Sequence, residues 1–177
     1  ISKLRFFISL VVDQKLNDQK QNFGIRPLPN LETKFVAANT LIGLDTGISQ
    51  KAGTKGSGFI RDQRIEIKES ELNEVRHRHF SAKTPKTKNK CREEDKKLRE
   101  EIAELLENDG WNHKAAQQLA QWNPYDQNNT ANFFDPEWMF EIRDGFDIVI
   151  GNPPYVEARN SKLFADELKK EYQLNTK

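Results

Sequence analysis

The sequence predicts an α/β fold, and three observations carry that expectation. A β-rich run, Phe146-Asp147-Ile148-Val149-Ile150, leads straight into Gly151-Asn152-Pro153-Pro154-Tyr155. A second strand candidate, Lys34 to Ala38, runs into Asn39-Thr40-Leu41-Ile42-Gly43. Helical patterns separate the two, the best marked of them over 88–109. The β-rich run places the stretch after it at the carboxyl end of a strand, where open α/β sheets bind ligands.

Each element has a local reason. Residues 1–17 read as a helix because Leu4, Ile8, Val11 and Val12 fall at helical spacing, with Phe7 beside them. Phe23 to Leu31 contains Pro27 and Pro29 and reads as an extended connector. Residues 43–58 hold five glycines and read as loop. The run Gly53-Thr54-Lys55-Gly56-Ser57-Gly58 lacks the glycine-to-lysine spacing of a phosphate-binding loop. Residues 62–80 and 88–109 read as two helices broken near Pro85. In the second, Glu93/Lys97, Asp95/Arg99 and Lys97/Glu101 are opposite charges four apart. Leu98, Ile102, Leu105 and Leu106 form a narrow apolar stripe, and Gly110 supplies a stop. Connections between strands are normally much shorter, so 62–110 reads as an inserted helical hairpin.

Residues 112–122 suggest a short helix, and Asn123 to Asn132 a polar loop. Asp135-Pro136-Glu137 looks like a helix start, with Asp as cap and Pro in first position. Residues 161–173 close the chain as a helix, with Leu163, Leu168 and Tyr172 available for packing.

A chain of 177 residues supports one domain with a real core. Its net charge of +1 argues neither for nor against a polyanionic partner. The lone Cys91 rules out an internal disulfide and suits a reducing compartment. There is no apolar run of about 18 residues and no signal peptide, so a cytoplasmic protein without a membrane partner is expected. The chain opens at Ile1 in mid-pattern, as a piece of a longer polypeptide would.

Asn152-Pro153-Pro154-Tyr155 is the principal candidate site. Asn152 offers a side-chain carbonyl. The prolines stiffen the loop and remove backbone donors, so it accepts hydrogen bonds rather than donating them. Tyr155 offers a flat face for stacking. Such a device suits a planar amino group, for example the exocyclic amine of adenine. A second candidate is the stretch from Arg76 to Arg92, which has seven basic residues and no acid. Arg76, Arg78, Lys83, Lys86, Lys88, Lys90 and Arg92 are placed to meet DNA phosphates or to solvate a hairpin tip. His77, His79, His113 and Cys91 do not make a convincing metal set, and no metal is expected. Trp122, Trp138 and the Phe133-Phe134 pair fit a core better than a base-stacking platform. Glu93-Glu94 and Glu100-Glu101 read as a solvated helix face.

Asn152 to Tyr155 resembles motif IV of the S-adenosylmethionine-dependent amino-methyltransferases. Further stretches are similar to the methyltransferase core of fused, single-chain type II restriction-modification enzymes. Ile1 to Leu10 resembles the helix after motif II, Leu28 to Leu44 the surroundings of motif III, and Phe133 to Phe140 the approach to motif IV. The resemblance implies a partial Rossmann-like sheet and methylation of a flipped adenine in double-stranded DNA. It implies S-adenosylmethionine as cofactor, with Asn39 and Leu41 near it. The family often has Asp at the first of these positions; an amide both donates and accepts. It further implies that motif I precedes Ile1, and that recognition and nuclease domains belong to the rest of the parent chain. Two rivals stand beside this reading. Protein-glutamine methyltransferases carry the same four residues, because a glutamine amide also presents a planar NH2. A binding fragment with an inactive site is the other.

Overall fold

The computed structural model describes residues 2–46, 62–126 and 128–151. Its helices are α1 (Ser2–Val12), α2 (Gln63–Ser81), α3 (Pro85–Asn108), α4 (His113–Gln121) and α5 (Pro136–Phe140). Two 3-10 turns, Gln21–Gly24 and Glu32–Lys34, lie between α1 and α2.

Caps fix where the helices start. Asp62 accepts the Arg64 amide at 2.9 Å, Asn112 the Lys114 amide at 2.9 Å, and Asp135 the Trp138 amide at 2.7 Å. Thr84 accepts from the Thr87 amide at 3.2 Å, and Pro85 follows in first position. A proline there is pre-set for a helix, so Pro85 opens α3 rather than breaking it, and the helix begins three residues before the expected 88. Gly110 closes α3 at φ +93°. Its amide donates to the Glu107 carbonyl at 3.1 Å, and the Trp111 amide to the Leu106 carbonyl at 3.0 Å. That paired closure requires a left-handed residue, which glycine adopts without a Cβ clash.

The core lies where α2, α3 and α4 meet. Ile65 and Leu72 of α2, Ile102 and Leu106 of α3, and Ala116 and Leu119 of α4 are buried together. Trp122, Ala131, Phe133, Trp138 and Met139 complete the cluster, so the segment after α4 folds back onto the hairpin.

The expected α/β, partial Rossmann-like fold does not form: among the described residues there is no strand and no sheet. A strand exists only when its backbone groups have a neighbour. Lys34 lies in a 3-10 turn, and the rest of that candidate reaches one isolated parallel bridge, Ala38 with Ala131. The run 146–150 pairs with no strand among the described residues, and Ile148, Val149 and Ile150 are exposed by 78%, 80% and 92%. Its β-branched residues reflect a pattern that has no partner here. The helix expected over 1–17 also stops early, at Val12. No basic residue lies in its last turn, and Asp13 sits at the end the helix dipole makes negative. Residues 161–173 lie outside the described residues.

Candidate active site

Asn152, Pro153, Pro154 and Tyr155 lie outside the described residues, but the segment leading to them does not. That segment is tied to the stretch holding Asn39 and Leu41. The Ala131 amide donates to the Ala37 carbonyl at 2.8 Å, and the Asn39 amide to the Ala131 carbonyl at 2.9 Å. Further along, the Phe134 amide donates to the Ile42 carbonyl at 2.7 Å. Two stretches about ninety residues apart in sequence thus run side by side, joined through their backbones. Phe134, Phe140 and Phe146 then gather with ring centroids 6.2–6.3 Å apart, carrying the chain toward Gly151.

Asn39 makes a local turn, its Oδ1 accepting from the Leu41 amide at 3.3 Å. This uses one of the two lone pairs of the side-chain oxygen; the amide nitrogen carries two donors. Donors at this point suit a ring nitrogen acceptor such as those of an adenine. This donor chemistry is compatible with the cofactor that the resemblance implies, and Leu41 nearby is an exposed apolar side chain.

A buried ionic network supports this region from below. Asp95 is fully buried on α3. It accepts from Arg76 Nε at 3.1 Å, Arg99 Nε at 2.7 Å and the Tyr125 hydroxyl at 3.2 Å. Arg99 also donates to the Ala120 carbonyl, holding the end of α4. Arg76 donates from Nη1 to the Trp138 carbonyl at 2.7 Å, and its guanidinium lies over the Trp122 and Trp138 rings. His77 meets Glu141 at 3.1 Å. α2 therefore holds α5 and the residue that ends it, a few residues ahead of 146–151. Burial and the Asp95 charge push the Tyr125 hydroxyl well above the usual phenol range, so it stays protonated and serves as a donor.

His79, fully buried at the end of α2, packs against the Tyr125 ring at 4.6 Å. Its ring nitrogens meet no hydrogen-bond partner among the described residues. Burial lowers its pKa, with Glu32 and Asp95 pulling up and Arg92 and Lys88 pushing down. Its carbonyl is used by Asn30, whose Nδ2 donates to His79 O and Ala82 O, both at 2.7 Å. This amide caps the carbonyl end of α2 and fastens the stretch that leads to Asn39.

The structure divides the seven basic residues. Arg76 is buried in the network. Arg92 lies over the Tyr125 ring at 5.4 Å, and Arg78 pairs with Glu94 at 2.5 Å. Lys83, Lys86, Lys88 and Lys90 remain at the tip between α2 and α3, all but the half-buried Lys88 exposed. Trp122, Trp138 and Phe133 are core residues. Among the described residues no three of His, Cys, Asp and Glu come together as a metal site.

Sequence reasoning missed Asn30 and Tyr125, and it read Asp95/Arg99 only as opposite charges four apart. A signal for Asp95 was present. It lies four residues after Cys91 and seven before Ile102, on the same stripe as the buried apolar residues. An acid at that register has to be paired. Asn30, far from α2 in sequence, gave no such signal.

The Eco57I restriction-modification methylase family model matches residues 1–177. No curated protein and no solved structure matches the chain.

Proposed function

We propose, from the fact that this chain belongs to the Eco57I restriction-modification methylase family, that it serves site-specific methylation of DNA at the exocyclic amine of adenine. The observation that carries this reading is the sequence Asn152-Pro153-Pro154-Tyr155, rich in acceptors and poor in backbone donors, shortly after an apolar run.

Adenine's amine is a poor nucleophile because its lone pair is delocalised into the ring. Asn152 Oδ1 and the Pro153 carbonyl each accept one N–H of that amine. Held this way, the nitrogen becomes pyramidal and turns its lone pair toward the methyl group. The acceptors also stabilise the positive charge that grows on nitrogen as the bond forms. Pro153 and Pro154 contribute no N–H, so no donor competes for the lone pair. Tyr155 stacks on the base, an interaction of roughly 1–3 kcal/mol, which offsets part of the few kcal/mol needed to flip it out of the duplex. S-adenosylmethionine, when bound, would supply an electrophilic methyl group whose bond to the sulfonium sulfur breaks as the N–C bond forms, a neutral thioether leaves, and the amine loses one proton to solvent. Asn39 would donate to a nitrogen of its adenine, with Leu41 against the ring. The step needs no metal, and a DNA substrate fits a cytoplasmic enzyme.

The test is Asn152→Ala in the full-length protein. Methyl transfer to DNA is expected to fall on the order of 100-fold or more, by analogy with loss of one transition-state hydrogen bond. S-adenosylmethionine binding should persist. Methylation near the wild-type rate would refute the role of Asn152, and transfer to a protein glutamine with none to DNA would refute the substrate.

A further inference from the structure

We propose that the tip of the α2–α3 hairpin holds the phosphate backbone of duplex DNA through Lys83, Lys86, Lys88 and Lys90. The inference rests on the reading of DNA as substrate, and it adds a contact surface to it.

The first support is what remains after the fold has used its own charges. Three of the seven basic residues between 76 and 92 have internal or lateral partners, as described above. Lys83, Lys86 and Lys88 form no ion pair among the described residues, and Lys90 makes one exposed ion pair, with Glu94 four residues on, at 3.8 Å. The second support is that the lysines sit where folding disfavours them. Lys86, Lys88 and Lys90 occupy the first turns of α3, where the helix dipole is positive, and the first turn holds no acid. Lys86 and Lys90 are four apart, so like charges neighbour each other on one face. A helix start shaped for stability alone would carry acids here. A local choice that opposes the fold at an exposed site marks a function.

The tip is also rigidly presented. Thr84 and Pro85 fix the start of α3, Asn30 fixes the end of α2, and the helix below is anchored by buried Cys91 and Asp95. Lys86 and Lys90 are separated by one helical turn, about 5–6 Å between Cβ atoms, so both can lie against one backbone strand. Phosphates are the partner that this array fits: it is cationic and sequence-blind, with no acid to accept from a base.

The experiment measures binding of the full-length protein to random-sequence duplex DNA over a range of salt concentration. The wild type is compared with a variant in which all four lysines are changed to Gln, and with one in which all four become Arg. Each phosphate contact contributes about 0.9 to the slope of log affinity against log salt. With four contacts the Gln variant should therefore lose about 3.6 from the slope, and the Arg variant should keep it. A slope reduced by less than about 1 in a folded Gln variant overturns the proposal. So does equal loss in the Arg variant, which retains the charge. Methyl transfer to DNA by the wild type is assayed separately. Its absence would fail the substrate reading, whereas an unchanged slope with transfer intact fails only the lysine tip.

Discussion

α1 and α3 both repeat apolar residues at helical spacing, yet they end in opposite environments. α3 places Ile102 and Leu106 in full burial against α2 and α4. α1 leaves Leu4 63% and Val12 74% exposed, held by an edge contact of Phe6 on Phe35 and a Lys3–Glu32 ion pair at 3.8 Å. Periodicity therefore makes a helix, and the presence of a facing surface makes a core. The hairpin supplies its own surface, because α2 and α3 are covalent neighbours joined by a short capped turn. α1 is followed by a long connector, in which Gln14 and Arg26 bond to each other but pack little apolar surface.

Three changes would break or sharpen that contrast. The largest effect is expected from Asp95→Asn. It leaves Arg76 and Arg99 buried without their countercharge, a loss of about 3–5 kcal/mol in a denaturant titration. A loss below about 1 kcal/mol would show that the network is solvated rather than buried.

Next comes a matched pair of truncations. Ile102→Ala should cost about 2–5 kcal/mol, because it opens a cavity among α2, α3 and α4. Val12→Ala should stay within about 0.5 kcal/mol, since its side chain already meets water. Equal losses would mean that α1 has a packing partner in solution.

The smallest effect concerns pH. His79 has a folded pKa below its ordinary 6.5, so the unfolded chain takes up the proton first as the solution is acidified. Its contribution to stability is complete above pH 6.5 and declines as pH falls from there toward the folded value. Equilibrium unfolding at several pH values should show this decline, and His79→Phe should flatten it. A decline of the same size in the variant would assign it to other groups.

The helical hairpin was largely legible in the sequence. Its charge pairs, apolar stripe, caps and Gly110 are local signals, and the helix ends differ from the expected ones mainly at Pro85. That no sheet forms among the described residues was not legible, because the β-rich character of 146–150 states only what a strand would need. Whether a neighbour pairs with it depends on distant chain, and among the described residues none does. For the candidate site, the motif could be read from residue types alone. The backbone pairing of Ala37 and Asn39 with Ala131 could not, since it joins segments with no shared pattern. The same holds for the basic stretch: composition counted seven positive charges, and only burial separated Arg76 from the lysines at the tip.

The most direct test of the central claim is to incubate the full-length protein with methyl-labelled S-adenosylmethionine and duplex DNA, then digest the DNA to nucleosides. The account predicts label in N6-methyladenine, lost with Asn152→Ala. Label in methylcytosine, or none in DNA and some in protein, would contradict it.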